Sequence, residues 1–194
     1  MNPSLADPTY DDAYGTCKYT SAALCISHLS LEPDTVSQRL QLVPSWAWRK
    51  GEPREMKGRP ARTGMWVLSS DGTIQSRDLR RHLDWLIATL QGRYIALQQL
   101  KEHHYSVDVI CHWVQLGGTG GPTLSPANMR GLADLDLELG FEFWSEDEDE
   151  EENDTAEQVI ALFTPSIRER SQVIDNDVSA CGHASDSADA PPGF

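Results

Sequence analysis

From Tyr19 to His28 the chain alternates, with Leu24 and Ile26 set against Ala23, Cys25 and Ser27. This period of two predicts a half-buried strand. The period then changes. Ser30-Leu31-Glu32-Pro33-Asp34-Thr35-Val36 opens a helix, with Pro33 in the first turn, where its missing N–H has no partner to lose, and acids near the positive end of the dipole. Val36, Leu40 and Val43 supply its apolar face. Pro44 to Thr63 is too rich in Pro, Gly and charge for regular structure, and long for a bare connection. Met65 to Ser70 resumes as a strand that stops at the Asp71-Gly72 turn.

The clearest helical period follows. Leu79, Leu83, Leu86, Ile87 and Leu90 share one stripe, while Arg77, Arg80, Arg81 and Asp84 take the other side. Ser76 or Asp78 caps this helix and Gly92 ends or bends it. A second helical stretch, Tyr94 to His103, carries Tyr94, Leu97 and Leu100. Ser106 to Leu116 is a strand rich in β-branched residues, broken by Gly117-Gly118-Thr119-Gly120-Gly121-Pro122. Ser125-Pro126 starts another helix, to which Met129 and Leu132 bring apolar positions. Leu137 to Trp144 closes the series as a strand, with Leu137, Leu139, Phe141 and Phe143 on one face and Glu138, Gly140 and Glu142 on the other. One buried and one wet face is the pattern of an antiparallel sheet.

The order is therefore β-α-β, a helical insert, then β-α-β. The two helix starts resemble each other, Leu31-x-Pro33 beside Leu124-x-Pro126. The expected fold class is α+β: an antiparallel sheet of about four strands from two β-α-β units, in a ferredoxin-like split arrangement with the helical insert between them. Residues 1–17 read as a flexible leader and 18–144 as a single α+β domain. Residues 145–194 read as an acidic, largely disordered tail with a short helix over 155–170.

Charge changes this picture in one respect. The formal net charge is −14, but residues 1–144 carry fourteen basic and sixteen acidic side chains, and residues 145–194 two and fourteen. The body is close to neutral, so an acidic attraction for a basic partner rests on the tail alone. No apolar run approaches the roughly 20 residues of a membrane span. Met1 to Asp12 holds Asp7, Asp11 and Asp12 and no Lys or Arg, the reverse of a secretory signal. A cytoplasmic location without a membrane partner is the expectation, and with it reduced thiols at Cys17, Cys25, Cys111 and Cys181.

Candidate chemistry is sparse. The glycine run lies between a strand and a helix, where phosphate loops also lie. It lacks the Gly-Lys-Ser/Thr end of a Walker loop, and Thr123 stands where a Gly-x-Gly-x-x-Gly fingerprint needs glycine. Cys25 and His28 have a ligand-like separation, but strand alternation sends them to opposite faces, as it does Cys111 and His112. No cofactor or metal is expected. No Gly-x-Ser-x-Gly elbow is present, and no Ser or Cys is placed by local sequence beside a general base. Catalytic residues are therefore not assigned.

The segment that holds interest is basic. Arg49, Lys50, Arg54, Lys57, Arg59 and Arg62 fall within fourteen positions, just after Trp46 and Trp48 and diluted only by Glu52 and Glu55. Arg grips carboxylate or phosphate with a two-pronged fork, and Trp offers a stacking or cation–π surface beside it. The candidate ligand-binding set is Trp46, Trp48, Arg49, Lys50, Glu52 and Arg54, with Trp66 from the following strand. Single-stranded nucleic acid, a nucleotide or an acidic protein segment would suit it. Two other readings compete: the tryptophans pack the loop onto the sheet while the cations are merely solvated, or the loop neutralises the acidic tail.

The order of short motifs carries a resemblance. Leu31-Glu32-Pro33-Asp34-Thr35-Val36-Ser37, Trp48-Arg49-Lys50-Gly51-Glu52, Gly64-Met65-Trp66-Val67-Leu68-Ser69-Ser70, the Leu79 to Leu90 helix, and Leu124-Ser125-Pro126 leading to Leu132-Ala133 together resemble domain-of-unknown-function family 4279. The resemblance covers about residues 19–144. The last strand departs from it, since Glu138 to Trp144 lacks an Asp-x-Tyr ending. It implies a small bacterial α+β domain with no assigned activity. Related small families are often proposed as immunity proteins, which neutralise a toxin by binding it. Together these readings favour a non-enzymatic protein-binding module, with a toxin among its candidate partners. An anion, nucleotide or nucleic-acid binding domain built on residues 46–62 is the alternative.

Overall fold

The computed structural model describes residues 9–53 and 60–145. Arg54, residues 1–8 of the expected leader, and the acidic segment with the helix expected over 155–170 lie outside the described residues. Among the described residues nine elements follow in order: β1 (Cys17–His28), α1 (Pro33–Leu40), β2 (Trp46–Trp48), β3 (Gly64–Ser69), α2 (Leu79–Leu90), α3 (Tyr94–Glu102), β4 (Ser106–Gln115), α4 (Pro126–Asp134) and β5 (Glu138–Ser145). The strands form one sheet in the order β2-β3-β1-β4-β5.

The α+β class holds, but the sheet differs from the expected one in three ways. It has five described strands, because Trp46–Trp48 forms a short edge strand inside the segment expected to be irregular. It is mixed, because β5 runs parallel to β4 while β1–β3, β1–β4 and β2–β3 are antiparallel. And it is not the ferredoxin-like split arrangement. There each β-α-β unit makes a crossover, whereas here β1 and β3 are adjacent antiparallel neighbours, so among the described elements only β4-α4-β5 is a crossover unit. Parallel neighbours need such a crossover, and α4 supplies it.

One face of the sheet carries the main core. Leu24 and Ile26 of β1, Trp66 and Leu68 of β3, and Val109, Cys111 and Trp113 of β4 meet the apolar stripes of all four helices, including Val36, Leu83, Leu97 and Leu132. The stripe read along Leu79 to Leu90 is the one buried, except that Ile87 is only partly covered. Val43, expected on the face of α1, lies beyond the helix end and is 83% exposed.

Local chemistry sets the helix starts. Asp78 caps α2 through the Arg80 amide at 3.0 Å. Ser125 and Asn128 form a reciprocal capping box on α4, and Asn128 Nδ2 also donates to Asp84 Oδ1 at 2.7 Å, tying α4 to α2. Asp78 is buried. Burial opposes its ionisation, but the Arg80 guanidinium and the amides of Asp11 and Arg80 outweigh that and hold its carboxyl below the usual range. Residues of the expected leader join the same region. Tyr10 Oη donates to Asp84 Oδ2 at 2.9 Å, Arg81 pairs with Asp12 at 2.7 Å, and the Tyr14 ring stands edge-on to Trp113.

Candidate functional site

The structure separates the tryptophans of the basic segment. Trp46 faces Val67 and Trp48 faces Met65 across the β2–β3 ladder, whereas Ala47 faces Trp66. Directly opposed residues share a face of a sheet. Trp46 and Trp48 therefore lie on one face, half-buried, and Trp66 lies on the helix-covered face, fully buried. The Trp66 indole N–H donates to Ser37 Oγ of α1 at 2.9 Å. Trp66 is not part of a common surface with the other two.

Arg49 is engaged by acids. Its Nε donates to Glu32 Oε2 at 2.6 Å, Nη1 lies 3.5 Å from Glu52 Oε1, and Nη2 lies 3.7 Å from Asp34 Oδ2. The hydrogen bond to Glu32, and then its charge, raise the Arg49 pKa further. Glu32 and Asp34 sit at the start of α1, so the contact clips the end of β2 to that helix. The Lys-Gly-Glu step is a turn. The Glu52 N–H donates to Arg49 O at 3.2 Å, and Gly51 has φ +86°, the left-handed value that a type II turn demands at its third residue. Gly51 N–H donates to Ala61 O at 2.8 Å and Ala61 N–H donates to Glu52 O at 2.9 Å, closing the base of the loop. Gly51→Ala is expected to cost about 1 kcal/mol from the positive φ alone, while Lys50→Ala leaves the urea midpoint unchanged. Equal effects at the two positions would remove the turn account.

Two groups resemble catalytic arrangements. On the face shared with Trp46 and Trp48, Ser21, His112 and Glu142 stand in one row, Ser21 opposite His112 on β1–β4 and His112 opposite Glu142 on β4–β5. Ser–His chemistry needs the hydroxyl bonded to the imidazole. Ser21 Oγ has no hydrogen-bond partner among the described residues, so His112 does not activate it. The second group does have that bond: Ser70 Oγ lies 2.8 Å from His82 Nδ1, and His82 Nε2 lies 2.9 Å from Ser76 O. Both side chains are buried, and Ser70 Oγ also accepts from the Ala22 amide at 2.9 Å. This pair ties β1, the end of β3 and α2 together. Nearby, an open cleft of about 400 Å³ is lined by Lys18 and Arg77 but also by Asp12 and Asp71, so its charges oppose one another.

Thiol and metal chemistry have little to work with. Burial pushes the Cys17 thiol up to about 11 and the Cys111 thiol higher still. Among the described residues no group of three or more His, Cys, Asp or Glu could hold a metal ion. His28 stacks on Tyr105 with ring centroids 4.5 Å apart.

The feature the sequence reading missed is the β5 edge. Phe143 was expected on a buried face, yet it is 61% exposed, and Trp144, on the opposite face of the strand, is 37% exposed. Phe141 and Phe143 stack with centroids 5.6 Å apart. Leu116, at the same end of β4, is 50% exposed. β5 pairs with β4 on one side and with no described strand on the other. A strand edge offers unpaired N–H and C=O groups for another strand. The connection 116–137, with a helix inside it, fits a crossover and so a parallel last strand, but its place at the sheet edge is visible only in the strand order. No described helix is long and apolar enough to cross a membrane.

Comparison with known proteins gives one match. A family model described as "Domain of unknown function (DUF4279)" matches residues 17–146. Neither a curated protein nor a solved structure matches the chain.

Proposed function

The chain belongs to the family described as Domain of unknown function (DUF4279), and from that premise we propose that it works as a non-enzymatic protein-binding module whose contact surface is the outer edge of β5. The observation that carries this reading is the exposure of Phe143 on one face and Trp144 on the other, near Leu116, on a strand that ends the described sheet. Exposed aromatics on a strand edge suit recognition by β-strand addition: main-chain bonds supply affinity and side chains supply specificity. Toxin neutralisation is one form such binding takes. Anion binding at residues 46–62 has less support, since Arg49 already meets three carboxylates and Trp66 lies on the other face of the sheet.

The test is cross-linking of the purified full chain to proteins of its native host, mapped by mass spectrometry, for the natural sequence and for Phe143→Lys. Cross-links concentrated at residues 138–145, and lost in the variant while its circular dichroism stays unchanged, support the reading. Partners that attach elsewhere, or that are retained by the variant, overturn it.

A further inference from the structure

Resting on that binding reading, we propose that the occupant of the β5 edge is a basic protein segment. It is an extended stretch with apolar side chains at alternate positions and a cluster of Lys or Arg at the end that meets Ser145. The uncovered side chains of β5 set the pattern of the strand, and the charge that follows β5 sets the flank.

Leu139, Phe141 and Phe143 lie opposite Val109, Cys111 and Trp113 of β4 and so share the helix-covered face. Cover on that face runs out along the strand. Leu139 and Phe141 pack against the core, whereas Phe143 is 61% exposed. A strand laid beside β5 sends every second side chain to this face, next to Phe141 and Phe143. Apolar residues at those positions take the Phe143 ring out of water, and polar ones do not. On the other face the Glu142 carboxylate is buried and has an interaction of its own, so it takes no part in the charge argument.

Seven consecutive acids, Glu146 to Glu152, follow the last residue of β5. The first is one peptide bond from Ser145, ~3.8 Å between Cα atoms. Its charge therefore lies within the ~8 Å Debye length of the strand end at physiological salt. Residues 1–144 hold fourteen basic and sixteen acidic side chains, so no comparable excess of one sign competes with it there. A cationic flank is attracted to this end of the edge and an anionic one is repelled, which disfavours nucleic acid and acidic peptides. The opposite sheet edge is a poorer template. β2 has three residues and is followed at once by Arg49 and Lys50, the short and charged pattern that protects an edge.

Fluorescence anisotropy on the full chain tests the match, using labelled peptides of alternating Val and Thr with a short Lys, Ser or Glu tail at either end. In the order that seats the tail at Ser145, the Lys-tailed peptide is expected to bind roughly tenfold or more tightly than the Ser-tailed one. That gap should close as salt rises. Glu→Gln and Asp→Asn changes across 146–152 should close it at low salt. Phe143→Thr should weaken both peptides while circular dichroism stays unchanged. No binding of the Lys-tailed peptide, equal affinity for all three tails, or a Lys preference that survives neutralisation of 146–152 would each overturn the proposal. Host segments that cross-link at residues 138–145 yet carry no Lys or Arg cluster remove the basic partner and leave the binding reading standing.

Discussion

Replacing Trp66 by alanine is expected to cost about 4 kcal/mol of folding stability, the scale for truncating a fully buried aromatic. Its side chain has no exposed surface, faces Ile26 on β1 and Ala47 on β2, and packs in the cluster that joins α1 to the sheet. Truncation leaves a cavity and also strips Ser37 Oγ of its indole donor. A domain of this size has ~5–15 kcal/mol in total, so a large share of the folded state's margin would go. Trp66→Phe keeps most of the volume and loses the hydrogen bond, and is expected to cost about half as much. Urea denaturation followed by circular dichroism measures both. A Trp66→Ala cost below about 1 kcal/mol would contradict the core assignment and return Trp66 to the ligand-binding candidates.

Gly64 shows why the segment around Trp66 is so constrained. A Cβ added at Gly64 would lie 2.7 Å from Leu31 Cβ and 2.9 Å from Leu31 O. The backbone of β3 thus passes against the chain entering α1, and only glycine allows it. Gly64-Met65-Trp66 is among the most specific pieces of the family resemblance, and both its glycine and its tryptophan have packing roles. Gly51 in the Lys-Gly-Glu step has a backbone role of the same kind. Local chemistry explains these motifs without a ligand.

How far the fold was legible follows from which interactions are local. The α2 stripe, the Asp78 cap and the Ser125-Pro126 start of α4 depend on neighbours within a turn or two, and all were readable in sequence. The strand β2 was not. Its three residues are held by pairing with β3 across the intervening loop, and a run of Pro, Gly and charge gives no sign of that. Alternation in β5 sorted its side chains by face but carries no information about the direction of the neighbouring strand. The same limit applies to the candidate site. Glu52 was visible beside Arg49, but Glu32 and Asp34 reach it only after α1 packs near β2, so the charge available to a ligand was overestimated. The sequence groups Trp46, Trp48 and Trp66 as one aromatic set, because faces on different strands can be compared only once register is known.

Stability should fall as pH drops below about 6.5, with His82 carrying part of the loss. Burial is the main cause that lowers the His82 pKa from its ordinary 6.5, and the nearby Arg81 charge acts in the same sense; the Ser76 carbonyl and the Asp71 and Asp78 carboxylates oppose it. The Ser76 carbonyl can only accept, so Nε2 carries the proton and Nδ1 accepts from the Ser70 hydroxyl. The folded protein keeps His82 neutral while the unfolded chain takes up a proton below 6.5. Its contribution is therefore fully present above that pH and is lost progressively from 6.5 down to the lower folded pKa. His28 is shifted in the same direction by burial and by His104, so the natural protein sums both effects. His82→Ala removes one of them and leaves Ser70 Oγ short of a partner in the core. It is expected to cost about 3 kcal/mol near neutral pH, the scale for losing buried hydrogen bonds and opening a cavity together. Its stability should also vary less with pH between about 5 and 6.5 than that of the natural sequence. Chemical denaturation at several pH values compares the two proteins. Parallel pH profiles would show that His82 takes up a proton as readily in the fold as in the unfolded chain, and the hydrogen-bonded path from Ser70 through the ring to Ser76 would have to be redrawn.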